Sequence, residues 1–384
     1  MADPAVRWGK RTDLVVHADD PFNAEPPRDA LAEEEITSLD AFYVRNHGPV
    51  PELEPSTWRL RVDGLVEREL ELSLAELRSR FARHEVAATL QCAGNRRAGF
   101  LTARDIPGEA PWGPGATGTA VWSGVRLTDV LTAAGIQANA EHVAFLGADV
   151  SEEPDPPQAF GASLSRHKAT ADEVLLAWGM NGEPLPRLHG APLRLIVPGY
   201  VAARSVKWLE RITAQAEPSD NFFQAESYRL LPAEADPDAI APGDGVALGA
   251  VAVNADILSP DEGATVVPGP LLVSGYAFAG DDRRIVRVDV STDGGRTWRQ
   301  ADLVDRQGPW TWRRWETEVD AAAPATEIVA RAWDSAAAAQ PESAAHLWNP
   351  KGYVNNAWAR VTVSAECPAA GGARTTSPGR RGRA

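Results

Sequence analysis

The chain has 384 residues, 44% of them hydrophobic and 24% charged, with a formal net charge of -15 at pH 7. That length exceeds what one core usually serves, so two domains are expected, and the acidic balance disfavours nonspecific binding to nucleic acid or to an anionic membrane. Two cysteines exclude a disulfide framework and favour a reducing compartment. The opening "MADPAVRWGKRTDLVV" lacks a leader pattern, and no apolar run reaches about 18 residues, so a cytoplasmic protein is expected.

Residues 1 to 57, with "DDPFNAEPPRDALAEEE" among them, are rich in turn-formers and predict a segment that wraps over a core rather than making one. "TWRLRVDGLV" alternates as a strand with a turn at Gly64, and Ser73 and Glu76 of "LSLAELRSRF" have the spacing of a capping box, which predicts a short helix. "RLTDVLTAAG" predicts a second helix, closed by Gly135 in a left-handed cap. "HVAFLGAD", "EVLLAWGM" and "PLRLIVPG" predict buried strands. The stretch 231–250 has little to bury and holds the expected boundary, leaving a mixed α/β first domain over residues 1–245 of an α+β chain. In "RIVRVDVSTDGGRTWRQADL", Val286, Val288 and Val290 are set on one face and Arg287 and Asp289 on the other. Close turns and short strands over 246–366 predict an immunoglobulin-like sandwich. Trp298, Trp310, Trp312, Trp315 and Trp333 are assigned to its core or to an interface. The basic tail 367–384, which holds Cys367, is expected to be disordered.

The other cysteine raises the question of chemistry. In "TLQCAGNRRAGF" an apolar stretch ends at Cys92, and Arg96 and Arg97 follow, two cations that would favour the thiolate. A buried cysteine acting as a small hydrophobe is the plain alternative. A phosphatase loop needs arginine six positions after the cysteine, where this chain has Ala98. Acyl transfer would need a partner among His47, His84 and His189, and a zinc site would need histidine ligands at close spacing, which the seven histidines lack.

"LQCAGNRR" resembles the signature of the sulfite oxidase family of molybdenum enzymes. "PFNAEPP" at 21–27, "FYVRNHGPVP" at 42–51, "LHGAPLRLIVPGYVAARSVKWL" at 188–209 and "WNPKGYVNNAWARV" at 348–361 resemble family segments in the family's order. The resemblance implies a molybdopterin-binding domain followed by a dimerisation domain, and hence a homodimer. It implies molybdenum held by Cys92 and by molybdopterin, with sulfite oxidised to sulfate. Arg45 and Arg97 then stand as pocket arginines, Tyr228 as the active-site tyrosine and Trp112 as a pocket wall. Lys351 stands where the family has arginine in "WNxRG"; the charge is kept, but the planar fork that grips two oxygens is not. Asn46, His47, His189, Arg194, Ser205 and Lys207 lie in motifs that contact the pterin in the family, although taken singly Arg204 and Lys207 read as solvated charges and Trp208 as core. No CxxCH haem motif occurs, so electrons are expected to leave to a separate acceptor, a cytochrome or dioxygen. Nitrate or a sulfoxide as substrate, and a noncatalytic assembly role, remain alternatives.

Overall fold

The computed structural model describes residues 4–236, 239–304 and 308–366, so the expected disordered tail lies outside the described residues. Strands dominate; the longest described helix, Leu127–Ala134, has eight residues. In the first half one sheet runs Leu70–Leu72, Leu60–Gly64, Leu209–Gln215, His142–Ser151, Gln158–Ser165. Its pairing of Leu60–Gly64 with Leu209–Gln215 is parallel, so distant stretches of chain meet there. A second, antiparallel sheet orders Glu183–Pro184, Leu175–Met180, Thr117–Arg126 and His84–Gln91, with Arg194–Ile196 also paired to Leu175–Met180.

Local signals act where they are self-contained. Ser73 Oγ accepts from the Glu76 amide at 3.2 Å while Glu76 Oε2 accepts from the Ser73 amide at 2.9 Å, so both orphan donors of the helix Leu74–Arg80 are satisfied. Gly135 closes Leu127–Ala134 with a φ of 70°, a conformation that costs glycine nothing.

In the second half, Asn254–Ser259, Gly269–Phe278, Arg313–Ala321 and Asp302–Leu303 form one sheet. It faces a second sheet of Thr265–Val266, Ala359–Ala365, Ala325–Asp334, Ile285–Ser291 and Arg299–Gln300. Ile257, Val273, Val288, Val290, Trp315, Ile328 and Val361 fill the space between them.

Three expectations need correction. The N-terminal segment does more than wrap: the strands Val15–Asp19 and Phe22–Glu25 form a hairpin, and Ala5, Leu14, Phe22, Ala24 and Val44 make a small core with Leu188. Val286 is exposed, because a bulge between Ile285 and Arg287 shifts the alternation by one residue and turns Ile285 inward instead. Asp289 is buried beneath Arg287 and Arg331, although it lies on the face read as polar.

The tryptophans divide by environment. Trp315 lies in the sandwich core, whereas Trp312 belongs to the first half's core cluster and donates its indole N–H to the Glu35 carbonyl at 3.1 Å. Trp310 packs beside Lys168, whose Nζ is 4.9 Å from its ring, and Trp298 and Trp333 flank Arg331 at 3.7 and 4.6 Å.

Candidate active site

Cys92 follows directly on the strand His84–Gln91, at the point where the chain turns through Asn95–Arg97. Its amide donates to Ala116 O at 2.9 Å, and its Sγ accepts from the Gly94 amide at 3.4 Å. Gln91 bridges Val201, which brings the turn Ala202–Arg204 and with it Ser205 beside the cysteine. The thiol is free and buried at the wall of a partly enclosed cavity.

That cavity draws Arg45, His47, Cys92, His189, Arg194, Ser205, Lys207 and Tyr228 together from six separate stretches of chain. Asn46 stands behind the wall, where its side chain accepts from Lys207 Nζ and donates to Phe22 O at 2.9 Å. Lys207 also donates to Arg45 O at 3.1 Å, so one lysine side chain ties the Arg45–His47 segment to the far side of the pocket. Arg194 donates to His189 O at 2.9 Å and to Ser205 O at 3.0 Å, holding two further lining residues in register.

Arg97 and Lys351 meet at a different edge. Arg97 Nε donates to Lys351 O at 3.1 Å and Nη1 to Ala110 O at 2.9 Å, and the guanidinium lies 5.3 Å from the Tyr353 ring. Tyr353 stacks on Tyr228 at 5.5 Å, which makes this edge continuous with the cavity. Trp112 is buried in the cluster that contains Cys92 and packs on His17 at 4.4 Å, and it is not among the cavity's lining residues.

The charges follow from burial. Burial pushes the Cys92 thiol up, and Arg97 and Arg45 only partly oppose it. The expected help from Arg96 is absent. That side chain turns away and donates to Ala357 O at 2.8 Å, with Ala255 O and Trp358 O each at 3.2 Å. Burial, reinforced by Arg45, draws His47 down to about 3, so its ring is neutral. His47 Nε2 lies 2.7 Å from the Tyr228 hydroxyl and Nδ1 lies 3.1 Å from Glu153 Oε2. Burial raises the Tyr228 hydroxyl, which therefore stays protonated. Of the two read singly as solvated, Arg204 is buried and Lys207 is half-buried with its amine turned inward, and Lys207 is pulled well down by desolvation while Asp149 resists it.

The alternatives for Cys92 can now be weighed. Among the described residues the only hydrogen-bond partner of its Sγ is the Gly94 amide; His84 sits near Asp129 and His189 on Lys10, so no cysteine–histidine pair forms. No group of three or more His, Cys, Asp or Glu side chains among the described residues could hold a metal. A metal bound at Cys92 therefore needs ligands brought from outside the chain.

Comparison with known proteins agrees. Residues 47–223 match the oxidoreductase molybdopterin binding domain, and 247–366 match the Mo-co oxidoreductase dimerisation domain. Chicken sulfite oxidase is 46% identical over 90% of this chain and 77% of its own, and the Arabidopsis thaliana sulfite oxidase is 39% identical over 91% and 93%. The chain belongs to the sulfite oxidase family. The chain spans 65% of the length of the human mitochondrial family member it matches. The sulfane dehydrogenase SoxCD of Paracoccus pantotrophus superposes with a TM-score of 0.76, at 27% identity over 90% of this chain and 87% of that one. The dimerisation domain supports a homodimer, and no helix among the described residues is long and apolar enough to cross a membrane.

The residues present suit the family's molybdenum–molybdopterin cofactor. Asp149 Oδ1 is buried without a hydrogen-bond partner at the cavity wall, an acceptor awaiting a ring N–H. Around it Arg194, Ser205, Lys207 and His189 offer donors for an anionic phosphate, and Cys92 offers the soft thiolate.

Tyr43, Asp149, Phe160 and Tyr353 join the site without having been singled out as site residues. Lys10, Glu109 and Glu153 join them, each contacting one of the residues already named. Asp149 and Tyr353 lie inside "HVAFLGAD" and "WNPKGYVNN", so a local signal existed. Lys10, Glu109 and Glu153 come from loop-like stretches with none.

Proposed function

We propose that this chain oxidises sulfite to sulfate at a molybdenum–molybdopterin centre bound through Cys92, and passes the electrons to a separate acceptor, a cytochrome or dioxygen. The observation that carries the reading is the free, buried Cys92 at a cavity wall flanked by Arg45 and Arg97, in a chain whose relatives are sulfite oxidases. When bound, the cofactor supplies an oxygen atom to the substrate and takes up two electrons.

The chain's own residues do the rest. Arg45 and Arg97, with Lys351 at the same edge, attract a small oxyanion and set its orientation. His47 holds the Tyr228 hydroxyl at 2.7 Å, and the packed rings of Phe160, Phe223 and Tyr353 keep that pair in place. Neutral His47 bears one N–H. If it faces Glu153, Nε2 accepts from Tyr228; if it faces Tyr228, the tyrosine proton is free to point at substrate. Asn46, Lys207, Arg194 and Ser205 preset the cofactor wall. Trp112 backs the cysteine from the core side. The reading includes a cytoplasmic location, supported by a thiol that must stay reduced.

Purified protein from a cofactor-competent host is expected to carry near-stoichiometric molybdenum and to reduce ferricyanide only when sulfite is added. Full metal with no sulfite turnover would overturn the substrate assignment, and protein without molybdenum would overturn the enzyme.

A further inference from the structure

Two of the cations at the substrate edge, Arg97 and Lys351, share one carboxylate of the chain itself. Arg97 Nη1 pairs with Glu109 Oε2 at 3.1 Å, and the other oxygen of the same carboxylate lies 3.9 Å from Lys351 Nζ. Arg97's remaining hydrogen bonds go to backbone carbonyls through Nε and Nη1, so Nη2 is the guanidinium nitrogen without a partner among the described residues. The Glu109 side chain is 21% exposed, and Arg97 and Lys351 are 4% and 19% exposed, so this pairing is largely screened from bulk water. Glu109 raises Tyr353 and Tyr228 as well, which marks its field as felt across the site.

We infer that Glu109 is a specificity-determining residue. Its carboxylate occupies the position between Arg97 and Lys351 that a second anionic charge on the ligand would take. The inference rests on the sulfite reading and deepens it. Sulfite carries one or two charges near neutral pH and sulfate carries two. A carboxylate already seated between two of the cations favours the singly charged anion and repels the doubly charged product. Lysine at 351 suits this arrangement, because a compact ammonium can share one carboxylate oxygen at the rim without demanding two. The oxidation itself is unaltered: Glu109 touches no reacting atom and acts through the cations.

Glu109→Gln keeps the shape and the acceptor toward Arg97 while removing the charge. Calorimetric titration of the holoenzyme with sodium sulfate at constant ionic strength is expected to show about tenfold tighter binding in Glu109→Gln and little change in Glu109→Asp. The KM for sulfite should fall in the Gln variant while kcat does not rise, since the dianion leaves more slowly. Unchanged or weaker sulfate binding in Glu109→Gln, or equal effects of Gln and Asp, would overturn the inference. Wild-type protein gives a second test that needs no variant: it is expected to hold nitrate at least as tightly as sulfate, and a tenfold preference for sulfate sinks the proposal. Sulfate binding is read without turnover, so a protein inactive on sulfite would overturn the proposed function while the titration still judges Glu109.

Discussion

Cys92 shows how burial and charge compete over one atom. Two flanking arginines suggest a lowered thiol, but the buried sulfur is pushed up, and of the two only Arg97 reaches it, joined by Arg45 from elsewhere in the chain. A metal that replaces the proton resolves the conflict, since a ligating thiol is deprotonated outright. Cys92→Ser is therefore expected to cost at least about 100-fold in sulfite turnover, measured by ferricyanide reduction per bound molybdenum; full activity would remove the ligand assignment. Lys10 carries a second consequence. Its Nζ lies 2.7 Å from His189 Nε2 and donates to Leu39 O and Phe42 O at 2.5 and 2.8 Å. Burial draws it from 10.5 down to about 7, with Asp40 resisting. Between those values the unfolded chain binds a proton that the folded chain does not, so Lys10 makes stability rise with pH from about 7 to 10.5. Lys10→Met should reduce that slope by about one proton, read from guanidinium unfolding at several pH values; an unchanged slope would show that the buried ammonium titrates normally.

Loops rather than strands set the substrate edge, and their order comes from specific locks. Asn349 accepts from the Tyr353 amide at 3.1 Å and donates to Tyr353 O at 2.8 Å, and the Val354 amide reaches Ala93 O at 2.9 Å, stitching this loop to the cysteine turn. Gly352 has a φ of 59°, and a Cβ there would stand 2.6 Å from Arg97 Cγ. Gly352→Ala is thus expected to displace Arg97 and lower kcat/KM by about 100-fold with molybdenum retained; wild-type kinetics would show that the loop relaxes freely. Helix caps and buried strands could be read in the sequence because their signals are complete within ten residues, as at Ser73 and Glu76. The bulge at Ile285 and Arg287 could not, since it depends on pairing with Ala325–Asp334.

The two halves are joined through the motif that holds the cysteine. Arg96, adjacent to Arg97, turns into the second half and faces Asp256 at 3.3 Å, with Arg28 on the other side of that carboxylate at 3.5 Å. Asp256 is 1% exposed, so removing one cation leaves a buried charge poorly paired. Arg96→Met is expected to cost about 3 kcal/mol of stability, measured by guanidinium denaturation; a loss below about 1 kcal/mol would mean that Arg28 suffices alone. The consecutive arginines of "CAGNRR" thereby divide their work, Arg97 toward the substrate edge and Arg96 toward the domain junction.

The amino-acid order was enough to mark most of the elements, the sandwich and the family, and to single out Cys92 and most of the polar residues that line its cavity, because these rest on short-range periodicity, capping chemistry and contiguous motifs. It could not show that Glu109 sits between Arg97 and Lys351, that Glu153 reaches His47, or that Lys10 lies against His189. Those contacts join residues from about 10 to more than 240 positions apart, and Glu109, Glu153 and Lys10 all sit in loops with no periodic signal. Their energies depend on which neighbours share a buried, low-dielectric space, and that is a property of the assembled fold rather than of any segment.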